Sequence, residues 1–207
     1  MNTASKLFKS LAILIPFFFI SCAPSKVTST WKSDAYTGGP ITNVMVIGIT
    51  ANVKNRKIFE TAFTNHFVKN GVKAIPGYSL IPDISGLNEE MILSVTENKG
   101  IDAIFVTHVL GLKAEEVLFK PLGYDPRGQY RPTFGNYIYA ANSYVTSPMK
   151  YTQVENVQLE SLLFDRQTKE MIWALASDTY RPDSLKEVID RLAINVMNSL
   201  RENQLIK

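Results

Sequence analysis

The sequence predicts an α/β domain built on one mixed β-sheet. The observations behind this are a continuous apolar run at 44–49, helical spacing of apolar residues after it, and two late alternating segments. Continuous apolar runs are typical of parallel strands covered on both faces, whereas alternation is typical of antiparallel strands. We therefore expect a β-α-β-α-β start, a late antiparallel hairpin and a C-terminal helix, arranged in two or three layers.

The first half of the chain predicts three strands separated by two helices. Asn52 is a good N-cap for the first helix, and Asn70-Gly71 is typical of its end. Strands that alternate with helices favour parallel neighbours in the sheet. The predicted elements are strands at 44–49, 72–75 and 101–110, and helices over 52–70 and 88–99.

The second half predicts a hairpin followed by a long amphipathic helix. Residues 153–164 and 171–179 alternate and are joined by a turn at 165–169, while residues 113–119 are compatible with a further strand. Ser184 and Glu187 have the spacing of a capping box. The helix that follows carries one apolar stripe: Leu185, Val188, Ile189, Leu192, Ala193, Val196, Met197 and Leu200.

Composition excludes several classes of protein and site. The 207 residues are 45% hydrophobic and 20% charged, which is typical of one globular domain or two small ones. One cysteine excludes an intramolecular disulfide framework and a cysteine zinc cluster, and two histidines disfavour a histidine metal centre. We therefore expect no cofactor and no metal.

The first 22 residues predict export. Lys6 and Lys9 precede a ten-residue apolar run at 11–20, which is too short to span a membrane but suits a signal peptide. The run ends in Phe19-Ile20-Ser21-Cys22, which resembles a bacterial lipobox. That resemblance implies cleavage before Cys22 and several acyl chains on Cys22, which suffice for stable membrane anchoring. Without the signal peptide the charged residues nearly balance, so the sequence predicts no nucleic-acid partner.

The predicted boundaries follow from this assignment. Residues 1–21 form the signal peptide, 22–42 the lipidated cysteine and a polar tether, and 43–207 one periplasmic α/β domain. Trp31 and Tyr36 interrupt the tether and either dock on the domain or stay exposed. The alanine after the cysteine, in place of an aspartate, resembles an outer-membrane sorting signal, so we expect the domain to face the periplasm.

A tyrosine-rich insertion at 119–151 is the strongest candidate binding segment. Long connections in compact domains are usually functional or disordered, and tyrosine and arginine are enriched at interfaces. Three interpretations stay open: a surface insertion without a partner, a contact for a protein or glycan, and a hairpin that enters a membrane during oligomerisation. The candidate residues are Tyr124, Arg127, Tyr130, Arg131, Tyr137, Tyr139 and Tyr144.

The start of the first predicted helix carries the other candidate site. Lys54, Arg56 and Lys57 are either a solvated basic turn or a weak anion site that uses free helix N–H groups. A phosphate loop is disfavoured, because Val53 stands where its second glycine belongs and Asn55 replaces the hydroxyl residue. No Gly-x-Ser-x-Gly elbow or Ser/His/Asp arrangement is recognisable either, so we predict no enzymatic activity.

Several marks resemble a family of small uncharacterised bacterial envelope lipoproteins across residues 27–205. They are the 44–49 run before Arg56 and Phe59-Glu60, Gly100-Ile101-Asp102 at a strand start, and Trp173 in the late hairpin. More distantly the order of elements resembles the α/β periplasmic domains of the Tol translocation protein, the penicillin-binding-protein activator lipoprotein and the curli secretion lipoprotein. Those domains bind or assemble. The resemblance implies a membrane-anchored envelope lipoprotein with a non-enzymatic binding role for an envelope protein or glycan. The alternative is a self-associating subunit of an envelope export or assembly complex.

Overall fold

A computed structural model describes residues 25–50, 52–113, 132–145, 156–180 and 184–207. Within these ranges the chain forms six strands and four α-helices. The strands are β1 (Ser25–Lys32), β2 (Asn43–Ile49), β3 (Lys73–Pro76), β4 (Ala103–Lys113), β5 (Asn156–Asp165) and β6 (Met171–Tyr180). The helices are α1 (Val53–Lys69), α2 (Glu89–Thr96), α3 (Phe134–Val145) and α4 (Leu185–Glu202).

The six strands form one mixed sheet in the order β1-β6-β5-β4-β2-β3. The pairs β2/β3 and β2/β4 are parallel, and β4/β5, β5/β6 and β6/β1 are antiparallel. This confirms the predicted fold class: a β-α-β-α-β start, a late hairpin and a C-terminal helix. The connections that lead to the parallel pairs contain helices α1 and α2, as parallel pairing requires, and α3 lies in the long connection between the antiparallel strands β4 and β5.

Helices cover both faces of the sheet and make three layers. On one face α1 and α4 pack against a core that includes Phe105, which stacks on Phe63 with ring centroids 5.2 Å apart. On the other face α2 and α3 pack against a second core that includes Ile47 and Phe164. Every residue from Val44 to Ile49 is buried, which explains why that strand has no polar face.

The helix ends follow the local signals in the sequence. The Asn52 side chain accepts a hydrogen bond from the Asn55 N–H at 3.0 Å, and the Ser184 hydroxyl accepts one from the Glu187 N–H at 3.2 Å. Gly71 has φ +79° after α1, a conformation that glycine adopts without strain. The apolar stripe of α4 is buried except for its first member, Leu185, which is exposed because it lies in the first turn.

The predicted tether is wrong over residues 25–32, which form edge strand β1 against β6. A shift in register between Val27 and Ser29 marks a β-bulge, which breaks the two-residue alternation. Because of the bulge, Val27 packs on the α1/α4 face and Trp31 on the α2/α3 face. Serine and threonine make this segment resemble a linker, but covering the open edge of β6 and partly burying Trp31 favour a strand.

The tyrosine-rich insertion contains helix α3, which the sequence analysis did not predict. Phe134, Tyr137, Ile138 and Ala141 recur at helical spacing, and all four are buried against the sheet. The hairpin hypothesis is therefore wrong for residues 134–145. Tyrosine and asparagine residues obscure the helical periodicity of this segment, because asparagine is mostly exposed in proteins and tyrosine only partly buried.

Strand β4 extends well beyond its parallel neighbour. Ile49 at the end of β2 pairs with His108, whereas β4 continues to Lys113, which pairs with Asn156 of β5. The part of the predicted 113–119 strand after Lys113 lies outside the described residues. Strands β4, β5, β6 and β1 thus extend past β2 and β3 at one end of the sheet. That end contains the first residues of β1 and β5 and the last residues of β4 and β6.

Candidate functional site

The three basic residues predicted to form a site at the start of α1 do not lie on one surface. Lys54 and Lys57 are exposed, and the Lys57 Nζ lies 5.8 Å from the centroid of the Tyr78 ring. Arg56 has only 1% of its surface exposed, because it points into the interior between α1 and the segment after β3. The three cations therefore do not form one exposed anion site. The predicted site is wrong for Arg56, because its side chain is buried.

Arg56 is instead the centre of a buried polar network. Its Nε donates to Oε1 of Glu60 at 2.8 Å, and its Nη1 donates to the carbonyl oxygen of Ile81 at 2.8 Å. An α-helix brings residues four apart onto one face, which is why this pair forms within α1. The network fixes α1 to the segment that follows β3.

Glu60 joins two further backbone N–H groups to this network. Its Oε1 also accepts the N–H of Gly48 at 3.0 Å, and its Oε2 accepts the N–H of Tyr78. Burial raises the pKa of Glu60 above its ordinary value, while Arg56 and the two N–H groups act in the opposite direction. The carboxylate thus holds the end of β2 against the turn at 77–79, and its atoms are closed to an external ligand.

The tyrosine-rich candidates fall into three groups. Tyr124, Arg127, Tyr130 and Arg131 lie outside the described residues, and Tyr144 lies in the last turn of α3. Tyr137 has none of its surface exposed, and its ring lies 5.6 Å from that of Phe164. Tyr139, two residues on, is 80% exposed. Tyr137 is thus a core residue and was wrongly assigned to a binding surface, whereas Tyr139 remains available to a partner.

A second buried polar cluster lies beneath α3. The Tyr137 hydroxyl donates to Oε2 of Glu160 at 3.4 Å, and Glu160 is the cross-strand neighbour of His108. Burial raises the pKa of Tyr137 well above its ordinary value, so the phenol keeps its proton, and it lowers the pKa of His108 to about 4. At neutral pH the imidazole is therefore uncharged.

Sequence reasoning missed Glu160. One signal was available: this carboxylate interrupts a run, 159–164, that is otherwise apolar or small on both faces of β5. A charged residue within a doubly covered strand is almost never buried without partners. On the opposite face, the hydroxyls of Thr107 and Ser161 hydrogen-bond at 2.9 Å, so polar cross-strand pairs lie on both faces at this level.

An open cleft of about 650 Å³ lies between α2 and the β5–β6 turn. Its cations are already engaged: Lys169 Nζ lies 2.8 Å from Oε1 of Glu89, and Arg166 Nε donates to Oγ1 of Thr96 at 2.9 Å. The remaining carboxylates give the cleft an acidic rim. The lining residues are Glu89, Glu90, Leu93, Ser94, Glu97, Arg166, Gln167 and Lys169.

The described part of the chain combines two buried polar networks with an open cleft and an exposed aromatic ring. Over those ranges, no cluster of three or more His, Cys, Asp or Glu side chains has the arrangement of a metal site. Of the two buried networks, the Arg56 network holds elements together and the Tyr137 cluster lies under α3. The cleft and the ring of Tyr139 are accessible to a partner, as are exposed apolar side chains of α1 and α4 such as Val68 and Ile194.

None of the helices in the described ranges combines the length and apolar character needed to cross a bilayer.

Comparison with solved structures finds distant likenesses. A PelC dodecamer from Paraburkholderia phytofirmans matches with a TM-score of 0.45 and 11% identity, over 84% of this chain and 96% of that chain. Lipoprotein GNA1162 from Neisseria meningitidis matches with a TM-score of 0.40 and 11% identity, over 77% of this chain and 96% of that one. No protein-family model and no curated protein matches the chain. At these TM-scores the likenesses assign neither a function nor an oligomeric state to this chain.

Proposed function

We propose that this protein is a membrane-anchored lipoprotein of the bacterial cell envelope with a non-enzymatic binding role. The observation that carries the proposal is Phe19-Ile20-Ser21-Cys22 at the end of a charged and then apolar N-terminal segment. Cys22 is the sole cysteine of the chain and stands where lipidation requires it. The alanine that follows favours the outer membrane, with the domain in the periplasm.

The arrangement of polar groups supports binding rather than catalysis. Arg56 and Glu60 are strongly polar but closed off, since their hydrogen bonds go to each other and to backbone atoms of the same fold. Among the accessible features are the ring of Tyr139 and the acidic rim of the cleft beside α2. An exposed aromatic ring offers a large contact area at low entropic cost, which suits a protein or glycan partner.

Lipidation is tested by metabolic labelling with palmitate. The wild-type chain should incorporate the label and sediment with membranes, and the Cys22→Ser chain should do neither, because it lacks the acceptor sulfur. A Ser21→Ala chain is the matched control, since alanine is also a small residue before the cysteine and should preserve labelling. Equal labelling of the wild-type and Cys22→Ser chains would refute the lipoprotein assignment.

The binding role is tested by cross-linking in intact envelopes. We expect Tyr139→Ala to lose cross-links to a partner while the protein level stays unchanged, because the side chain is exposed. A chain carrying Lys54→Ala and Lys57→Ala tests the exposed lysines at the start of α1 as a control. This chain should retain the cross-links. Loss of cross-links in the lysine variant, with retention in the tyrosine variant, would reverse the site assignment.

A self-associating subunit is the second candidate. The feature that favours it is strand β1, whose outer edge has no neighbouring strand among the described residues and is therefore free to pair with a second copy. Lys26 and the bulge after Val27 protect this edge and weigh against such pairing. Light scattering of the detergent-solubilised lipoprotein decides: a monomeric mass supports the binding role, and a defined multiple supports the subunit role.

A further inference from the structure

We propose that one end of the sheet lies against the headgroup layer of a lipid bilayer, and that the cleft beside α2 faces away from it. The membrane-facing end comprises Ser25, Lys26, Asn156 and Tyr180, and is called the Ser25 end. The inference rests on the proposed lipidation of Cys22. It adds to that proposal the orientation of the domain.

Covalent geometry limits the distance between the lipid and the sheet. Two residues, Ala23 and Pro24, separate Cys22 from the first residue of β1. An extended chain spans at most about 3.6 Å per residue, so three steps span at most about 11 Å. Ser25 therefore lies within about 11 Å of the Cα atom of Cys22 in every conformation of the link.

Ser25 is also held by the rest of the domain. It pairs with Thr179 in the sheet, and its Oγ lies 3.2 Å from the Thr179 hydroxyl. The Nδ2 of Asn195, on α4, donates to the same Oγ at 3.3 Å. Because two elements hold this residue, the short link restrains the whole domain and not only a loose N-terminal strand.

The thickness of the headgroup layer shows how close this short link keeps Ser25 to the bilayer. The hydrocarbon core is about 30 Å thick and the whole bilayer about 40–45 Å, which leaves about 5–8 Å for each headgroup layer. Acyl chains on Cys22 lie in the hydrocarbon, so a residue within about 11 Å of that cysteine lies at the headgroups or directly above them.

Neighbouring strands bring further residues to the same level. Tyr180 of β6 pairs with Asn156 of β5, which in turn pairs with Lys113 at the end of β4. Three strand spacings of about 4.8 Å place the β4 end roughly 14 Å to the side of β1. Lys26 and Tyr180 are exposed there, and lysine and tyrosine are side chains that suit a membrane–water interface.

The opposite end of the sheet is remote from this contact. β6 makes nine residue steps between Met171 and Tyr180, which at about 3.3 Å each amounts to about 30 Å. The β5–β6 turn at that far end lines the cleft, and Gln167 and Thr168 are exposed on it. The cleft is thereby directed toward the aqueous compartment, where a partner would reach it.

Depth-dependent fluorescence quenching tests this orientation in the full lipidated chain. Because Cys22 carries the lipid, a thiol-reactive fluorophore attaches only to a newly introduced cysteine. Lys26→Cys and Tyr180→Cys report on the Ser25 end, and Gln167→Cys and Thr168→Cys on the far end. Each labelled chain is reconstituted into phosphatidylethanolamine and phosphatidylglycerol vesicles that contain a headgroup-spin-labelled lipid.

We expect strong quenching at positions 26 and 180 and none above the vesicle-free background at 167 and 168. Quenching that is equal at both ends, or stronger at 167 and 168, overturns the orientation. Flotation of the vesicles separates this result from failure of lipidation: a chain that does not float refutes the anchor itself. A chain that floats and is quenched equally at both ends refutes only the orientation.

Discussion

The Nε atom of Arg56 lies 2.8 Å from the Oε1 atom of Glu60, one turn further along α1, and both side chains are buried. A buried ion pair is strongly destabilising when one partner is removed, because the other is left as an uncompensated charge in the interior. Here the carboxylate also accepts the N–H groups of Gly48 and Tyr78. The pair therefore connects α1 with the end of β2 and the turn after β3.

Glu60→Gln should lower the free energy of unfolding by about 3–5 kcal/mol, because it leaves Arg56 charged and without its counterion. Urea denaturation followed by tryptophan fluorescence measures this. Asp190→Asn is the matched control, since Lys186 and Asp190 form an exposed pair with the same four-residue spacing. That change should cost less than about 0.5 kcal/mol. Equal effects in the two variants would show that burial of the Arg56 pair has no energetic consequence.

The imidazole of His108 predicts a pH dependence of stability. Burial lowers its pKa from 6.5 to about 4, so between these values the unfolded chain binds a proton that the folded chain does not. The free energy of unfolding should therefore rise by about 3 kcal/mol between pH 4 and pH 6.5 because of this group. The same contribution is lost as the pH falls from 6.5 to 4.

The His108→Gln chain removes this contribution, together with the influence of the imidazole on its cross-strand neighbour Glu160, because glutamine does not titrate. Its unfolding free energy should change less over the same pH range than that of the wild type. The raised pKa of Glu60 acts with the opposite sign, but Glu60 is present in both chains and cancels in the difference. Identical pH profiles would contradict the assignment of the slope to the histidine.

Leu192 and Ile194 on α4 form a matched pair for the core. Leu192 is completely buried against the sheet, whereas Ile194 is 54% exposed. Leu192→Ala should lower the free energy of unfolding by about 2–5 kcal/mol, as loss of a buried leucine side chain does. Ile194→Ala should lower it by about 0.5 kcal/mol or less. Denaturant midpoints of the two chains check this prediction, and an unchanged midpoint for Leu192→Ala would make α4 a peripheral helix.

Tyr137 and Tyr139 give the corresponding comparison on α3. Tyr137→Ala should destabilise the domain by about 3–5 kcal/mol, since it empties space beside Phe164 and removes one hydrogen bond to Glu160. Tyr139→Ala should leave the thermal midpoint nearly unchanged, because the ring is in solvent. Thermal unfolding of both chains measures the contrast. Similar midpoints would place Tyr137 outside the core, as the sequence alone had indicated.

The elements whose signals are local can be predicted from the amino-acid sequence alone. The apolar run at 44–49, the caps at Asn52 and Ser184 and the stripe that ends at Leu200 each depend on a few neighbouring residues, and the structure has all of them. Helix periodicity and capping are properties of short segments, so they can be read before any tertiary contact is known. The same holds for Phe19-Ile20-Ser21-Cys22, whose interpretation as a lipobox stays a prediction.

Long-range contacts determine which polar residues are buried and which secondary structure the ambiguous segments adopt. Arg56 and Tyr137 belong to residue types that are often exposed, and only contacts from distant parts of the chain place them in the interior. Residues 25–32 are a strand because β6 offers an open edge 140 or more residues later in the chain. A long-range pairing partner leaves little trace in the local sequence. Glu60 lies only four residues from Arg56, but the burial of that pair depends on Gly48, Tyr78 and Ile81, and for this reason the functional surface depended on the fold.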